Sequence, residues 1–304
     1  MSPRARPRVA LVSARAARDL DEDLPPLIAA LDAAGVEAAV VDWDDGQVDW
    51  SSFRLALLRS TWDYPERLAE FLAWTERTAA VTTLLNPPPV LRWNSDKHYL
   101  RDLAGAGVPV VPTRFVEPGE QGARALESFV RERGAAQWVV KPAVGAGSRD
   151  AARYTRAQER AASRHIERLL EAGRSVLLQP YLEQIDLHGE TALIYFAGRI
   201  DHAVRKGPLL RPDAAPTGGL FAPEQITPRT PSAEELQVGD RALAALPFEA
   251  PLYARVDLIR AAGGPCVLEF ELIEPSLFLT HAAGAAERLV SELCNRILTR
   301  LSYP

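Results

Sequence analysis

The residues of this chain whose types and spacing could do chemistry fall into two groups. The first is the run Trp138-Val139-Val140-Lys141-Pro142-Ala143-Val144-Gly145-Ala146-Gly147-Ser148, which reads as a short buried strand, a lysine and a small-residue turn. Gly145 and Gly147 can take φ > 0, so successive backbone N–H groups can converge on one anion, with Lys141 aimed at the same place. That is phosphate chemistry in an unusual order, because the common phosphate loop puts its lysine after the glycines. A strand followed by a plain surface turn is the competing explanation. The basic residues favour the first: of 35, all but Lys97, Lys141 and Lys206 are arginine. A sequence that writes Arg for a generic surface cation keeps Lys where a planar guanidinium does not fit.

The second group lies near the end of the chain. Leu252 to Arg260 and Cys266 to Leu272 read as two strands across a Gly263-Gly264 turn, carrying Asp257, Glu269 and Glu271, with Glu274 just after. Side chains alternate across a strand, so Glu269 and Glu271 share a face and Asp257 on the neighbouring strand can join them. Carboxylates crowded in this way repel one another unless a hard cation sits between them, and Mg²⁺ holding nucleotide phosphates suits that place. Arg255 shares the face and can neutralise charge on a transferring phosphoryl group. The flanking Val256, Leu258, Val267 and Phe270 speak for a packed sheet rather than a solvated edge.

The elements that must position these groups begin with strands over 8–13, 36–41 and 55–58 and a helix over 24–34, an alternation that implies a doubly wound parallel sheet. The loop after the first strand lacks a dinucleotide fingerprint. It still leaves a strand's carboxyl end, as does Arg59-Ser60-Thr61-Trp62-Asp63-Tyr64, and open sheets collect ligands there. Asp19, Asp21, Asp63 and Arg59 suit an ammonium and a carboxylate, while Trp62 and Tyr64 can exclude water, so a small amino-acid-like substrate is expected between these loops. Asn86-Pro87-Pro88-Pro89 cannot be helix or central strand and reads as a connection. Asn94-Ser95-Asp96 reads as the cap of a helix running to Leu103, with Lys97 in its first turn.

Further strands are expected over 110–116, 137–141 and 175–179, and further helices over 120–133, 156–172, 232–245 and 284–301. The last of these lines up Leu289, Leu293, Ile297 and Leu301. Pro180 interrupts a ladder and leaves nearby backbone groups to a ligand. Glu190 to Phe196 and Ile200 to Lys206 form an antiparallel hairpin, and 207–231 is expected to be a mobile loop.

A length of 304 residues suggests two or three domains, and 47% hydrophobic with 25% charged residues is an ordinary globular balance. The net charge of −5, with no basic segment, argues against nucleic acid. Without a secretory or 18-residue apolar run, a cytoplasmic protein with no membrane partner is expected. Cys266 and Cys294 make neither a disulfide framework nor a zinc motif. A homo-oligomer stays open.

Taken in order, the lysine after a helix cap, Val-Val-Lys-Pro with its glycine loop, Gln-Pro-Tyr-Leu, Arg-Val-Asp and Leu-Glu-Phe-Glu resemble the ATP-grasp superfamily over nearly the whole chain. The layout is similar to glutathione synthetases and D-alanine–D-alanine ligases. More narrowly, Arg-Ser-Thr-Trp-Asp-Tyr, Leu-Asn-Pro-Pro-Pro-Val-Leu-Arg-Trp-Asn-Ser-Asp-Lys and Leu-Ile-Glu-Pro-Ser-Leu-Phe resemble the D-cycloserine synthetases, the O-ureido-D-serine cyclo-ligases.

The resemblance implies an α/β fold, α+β in its nucleotide-binding part. Residues 1–93 would bind substrate on the parallel sheet, 94–182 would form a lid subdomain, and 183–304 a catalytic, metal-binding subdomain. It implies ATP with Mg²⁺, as two ions, and places Lys97 and Lys141 on the phosphates under a lid with Gly145, Gly147 and Ser148. Gln179, Tyr181 and Leu182 would hold adenine by backbone groups, and Asp186 or Glu190 the ribose. Asp257, Glu269 and Glu271 would bind the metal, with Glu271 standing where the family has Asn. Arg59, Thr61, Trp62, Asp63 and Tyr64 would face the substrate. Arg255, with Arg205 or Lys206 from the facing hairpin, would stabilise the phosphoryl group in transfer.

The reaction implied turns a carboxylate into an acyl phosphate, which a nitrogen attacks. In a cyclo-ligase that nitrogen belongs to the same molecule, so closure gains from proximity and CO₂ and ammonia are lost. The rivals are an intermolecular carboxylate–amine ligase and a non-catalytic ATP sensor. A sensor needs no charge clamp for a transition state, so Arg255 with three carboxylates argues against it.

Overall fold

The computed structural model describes residues 6–210, 220 and 224–299, and its strands gather into three sheets. The first contains β1 (Arg8–Ser13), β2 (Glu37–Asp42), β3 (Leu55–Ser60) and β4 (Thr83–Leu85), with α1 (Leu24–Ala33) and α2 (Leu68–Ala79) as crossovers. Its order is β2-β1-β3-β4, parallel throughout, as the alternation predicts. Val9, Leu11, Leu55 and Leu57 pack toward Leu27 and Leu31 of α1, and Ala10, Val12, Ala56 and Leu58 toward Trp43, Phe71 and Trp74. Both faces are covered, which is why β1 reads as an unbroken apolar run.

Two helices follow, α3 (Pro88–Asn94) and α4 (Tyr99–Gly105). The proline run is therefore not a mere connection. Pro88 and Pro89 occupy the first turn of α3, where a missing N–H costs nothing and φ is already set. Asn94 ends α3 instead of capping the next helix, and Lys97 precedes α4, whose cap residue is His98.

The second sheet holds β5 (Arg114–Val116), β6 (Gln137–Pro142), β7 (Ala152–Thr155) and β8 (Val176–Pro180), with α5 (Gly122–Arg133) and α6 (Glu159–Glu171). It is antiparallel in the order β5-β8-β6-β7. Leu126, Phe129, Ile166 and Leu169 bury against Trp138, Val140, Val176 and Leu178. The strand expected over 110–116 is shorter, with Val110 making only an isolated bridge to Val267.

The third part contains α7 (Gln184–His188), β9 (Glu190–Phe196), β10 (Arg199–Lys206), β11 (Ile226–Pro228), α8 (Ala233–Ala244), β12 (Tyr253–Ala261), β13 (Gly264–Glu271) and α9 (Ala285–Thr299). Its antiparallel sheet runs β11-β10-β9-β12-β13. Part of the loop expected over 207–231 is thus strand β11, paired with β10. Residues 211–219 and 221–223 lie outside the described set, as do Leu301 and the side chain of Ile297.

Two asparagines join the first part to the third. Asn86 Nδ2 donates to the carbonyls of Tyr253 (3.1 Å) and Leu272 (2.7 Å), and its Oδ1 accepts from Leu252 N–H (3.0 Å). Asn94 does the same for Phe270 O (2.6 Å) and Leu272 N–H (2.7 Å). Buried backbone groups need partners, and these side chains supply them where strands end. Helix α9 returns to the first sheet, its Leu289, Val290 and Leu293 sharing a core with Leu27, Leu31 and Val36.

Candidate active site

Pairing of β12 with β13 sets Arg255 opposite Glu271 and Asp257 opposite Glu269, so the guanidinium and three carboxylates share one face, as the spacing predicts. Arg255 donates through Nε and Nη2 to both oxygens of Asp257 (2.9 and 3.0 Å), and also to Glu271. Its Nη1 reaches Ser276 O at 3.1 Å. Lys206 Nζ lies 2.8 Å from Asp257, 3.1 Å from Glu190 and 3.5 Å from Glu224. Lys97 holds Glu269 at 2.9 Å.

Side-chain cations stand between the carboxylates: Arg255 bridges Asp257 and Glu271, Lys206 pairs with Asp257, and Lys97 with Glu269. Burial acts to raise Asp257 and Glu269, but Arg255 and Lys206 hold the first, and Lys97 and Lys141 the second, below the usual carboxylate range. Glu271 goes the other way, because burial together with the charges of Asp257 and Glu269 outweighs Arg255 and pushes it up.

All three lysines of the chain line one pocket of about 310 Å³. Lys97 Nζ also donates to Gly145 O (2.7 Å), fastening the glycine loop to the third sheet through Glu269. Positive φ falls at Gly147 (62°), Ser148 (59°) and Asp150 (57°), not at Gly145. The loop is clamped from outside by pairs from Arg149 to Glu66 and from Asp150 to Arg168 and Arg174. Lys141, at the end of β6, has no ion-pair or hydrogen-bond partner among the described residues, and burial pulls its ammonium below the usual value.

The hinge differs from expectation in which groups it offers. Tyr181 N–H donates to Gln137 O (2.9 Å), and Gln179 lies opposite Val139. Backbone groups alternate along an antiparallel ladder, so residues 179 and 181 turn theirs to β6, while Pro180 O and Leu182 N–H face away. Pro180 does not break the ladder, because its missing N–H falls on the side that β6 does not use. The Gln179 side chain is committed to Thr113 (2.8 Å). Glu190 lines the pocket beside Lys206, whereas Asp186 is held outside it by Tyr181 Oη (2.5 Å) and Arg153 (3.2 Å).

At the other end the wall comes from Leu20 to Asp23 after β1 and from Trp62 and Tyr64 after β3. Asp19, Arg59, Thr61 and Asp63 are absent from that wall. Arg59 is fully buried between sheets, held by Asp23 (3.2 Å) and Pro275 O (3.1 Å). Asp63 accepts from Trp43 Nε1 (2.9 Å). Thr61 is fully buried. Arg205 is likewise removed: neighbours on a strand face opposite ways, so Lys206 meets the carboxylates while Arg205 Nε donates to His188 O (2.8 Å).

The loop after β13 supplies Glu274, Ser276, Phe278 and His281, which the sequence reading gave no role. Its signal was an acid before a proline, just past a strand that carries two acids. Trp62 Nε1 donates to Glu274 O (3.1 Å), and burial together with the charge of Glu271 pushes the Glu274 carboxyl well up.

A pocket between two antiparallel sheets, lined by Lys141 from one and by Lys206, Arg255, Glu269 and Glu271 from the other, belongs to a known class. The ATP-grasp ligase PsnB, in complex with a phosphomimetic variant of its minimal precursor, Mg and ADP, matches with a TM-score of 0.62 at 19% identity, over 93% of this chain and 98% of that one. The fold is that of the ATP-grasp ligases. The crystal structure of D-cycloserine synthetase DcsG matches with a TM-score of 0.89 at 44% identity, over 95% of this chain and 99% of that one. The cycloserine biosynthesis protein DcsG of Streptomyces lavendulae is 45% identical over 298 residues, 95% of this chain and 98% of that protein. Residues 9–86 match the family described as D-cycloserine synthetase DcsG, N-terminal domain. The chain belongs to the D-cycloserine synthetase family and is an ATP-dependent ligase. Among the described residues no helix is long and apolar enough to cross a membrane.

Proposed function

We propose that the pocket closes O-ureido-D-serine into D-cycloserine at the expense of ATP, in the cytoplasm where ATP is supplied. The observation that carries this is convergence: every lysine of the chain reaches the wall that also presents Arg255, Glu269 and Glu271, with Asp257 paired to Arg255 and Lys206 just behind it. Residues 1–93 serve the substrate, 94–182 the lid and 183–304 the catalytic face. Pro180 O and Leu182 N–H receive adenine, Lys97 and Lys141 the phosphates, and the loop with Gly145, Gly147 and Ser148 covers them. Glu190, already in the wall, is the better placed of the two acids for the ribose.

The donor set fits Mg²⁺. Asp257, Glu269 and Glu271 offer only hard oxygens, and the raised Glu271 marks acid beyond what the local cations neutralise. Bound there, Mg²⁺ would screen the nucleotide phosphates and add positive charge where the phosphoryl group is transferred. Arg255, which holds Asp257 and Glu271, and Lys206, which holds Asp257, are the chain's own charge clamp for that group.

The substrate carboxylate attacks the γ-phosphorus, ADP leaves, and an acyl phosphate forms. The nitrogen on the side-chain oxygen then attacks the acyl carbon and phosphate leaves. The carbamoyl group takes up one water and departs as CO₂ and ammonia. Trp62, Tyr64 and Phe278 give this end of the pocket an apolar wall that limits hydrolysis of the acyl phosphate. ADP release with O-ureido-D-serine, combined with mass spectrometry of the product, tests the reading. One D-cycloserine per ADP is expected. A linear condensation product, or ADP release that ignores the acid supplied, overturns it.

A further inference from the structure

Most acids in or just behind the pocket wall are answered from within the chain. Asp257 has Arg255 and Lys206, Glu269 has Lys97, Glu271 has Arg255, and Glu190 and Glu224 have Lys206. Asp23 caps the N–H groups of Leu277 (2.6 Å) and Leu279 (2.7 Å) and pairs with Arg59. Glu274 is different. It is buried, it lines the pocket, and its carboxylate has no hydrogen-bond or ion-pair partner among the described residues.

Its place is nonetheless fixed. Trp62 grips its carbonyl, Arg59 grips the carbonyl of Pro275, and Asp23 caps the turn beyond. A rigid loop that buries an unanswered acid carries a standing cost. That cost is recovered only if a ligand brings the missing cation.

We propose that Glu274 receives the α-ammonium of the amino-acid substrate and so sets which acids the ligase activates. The inference rests on the reaction given above. The ammonium is borne by the carbon next to the reacting carboxylate, so its receptor must adjoin the phosphoryl clamp. Glu274 does so, three residues beyond Glu271 and in the wall that includes Arg255 and Ser276. The competing receptor is Asp21, whose Oδ1 accepts from Asp23 N–H (3.0 Å) and whose buried Oδ2 has no hydrogen-bond partner among the described residues.

The test measures ADP release with O-ureido-D-serine and with its des-amino analogue, 3-(ureidooxy)propanoate, in wild type, Glu274→Gln, Glu274→Asp and Asp21→Asn. Wild type should prefer the amino substrate by about 10-fold to 100-fold in kcat/KM, the span of one charge-assisted hydrogen bond. Glu274→Gln should lose most of that preference through KM, Glu274→Asp should recover part of it, and nucleotide affinity by calorimetry should not move. An intact preference in Glu274→Gln, or its loss in Asp21→Asn alone, overturns the proposal. No ADP release from wild type with O-ureido-D-serine overturns the underlying reaction instead, so the two failures read differently.

Discussion

On β9, β12 and β13 each acid in or just behind the pocket wall lies within 4 Å of a lysine or arginine, and Asp257 has two, whereas at the loop end Asp21 and Glu274 have no ion-pair partner among the described residues. The strands can preassemble their charges because register alone puts cation opposite acid. The loops hold acid that no cation among the described residues pairs with. The first arrangement contributes stability and stands ready for any nucleotide. The second withholds stability until a cation of the right shape arrives, a division in which affinity is stored as strain.

The sharpest way to break this contrast is to remove one acid from each end. Asp257→Asn leaves Arg255 and Lys206 buried without their shared partner and should cost about 3–5 kcal/mol in urea unfolding, with turnover lost. Glu274→Gln should leave the unfolding midpoint unchanged or raise it. Equal losses in the two variants would erase the distinction.

Next in size is the lysine pair. Lys141→Ala removes a cation with no hydrogen-bond or ion-pair partner among the described residues, so ATP affinity should fall about 10-fold to 100-fold while the midpoint nearly holds. Lys206→Ala strands Glu190 and leaves Asp257 to Arg255 alone, so it should lose stability first. Calorimetry alongside denaturation separates the two.

A paired acid outside the pocket calibrates how much of the strand-end effect is pairing alone. Burial acts to raise Asp201, but Arg288 and His202 outweigh it and hold the carboxyl at about 2. A carboxyl lowered on folding contributes its stability in full above its unfolded pKa of about 3.9, and loses it as pH falls toward the folded value. Asp201→Asn should therefore cost about 1 kcal/mol at pH 7, allowing for the exposure of Arg288. The gap from wild type should close as pH drops below about 4 in chemical denaturation. The smallest effects belong to Arg205→Ala and Asp63→Asn, which should change substrate KM and stability by less than about 0.5 kcal/mol.

Much of this arrangement was legible in the residues. The apolar run of β1, the two-residue spacing of Arg255 with Asp257 and of Glu269 with Glu271, and the three surviving lysines each carry their own geometry. The side on which Arg205 falls was legible too, since Lys206 next to it had to face the other way. What hid was set by distant partners. Trp43 takes Asp63, Asp23 takes Arg59, and neither pairing leaves a mark in local pattern. The role of α2 was masked because two of its four buried positions, Thr75 and Thr78, are polar. The acid at Glu274 gains meaning only beside the strand acids, each of which has its own cation.

Helix α9 has a consequence for how the enzyme is made. Leu289 and Leu293 complete the cover over Val9, Leu11 and Leu27, and the Asp23 caps reach across 254 and 256 residues. On the ribosome the first sheet must therefore emerge with one face only partly covered by α1, and it waits there for partners not yet translated, a window in which sticky surface invites a chaperone. A nascent chain halted before residue 277 would have no amino-acid end to its pocket, however well its first strands had paired.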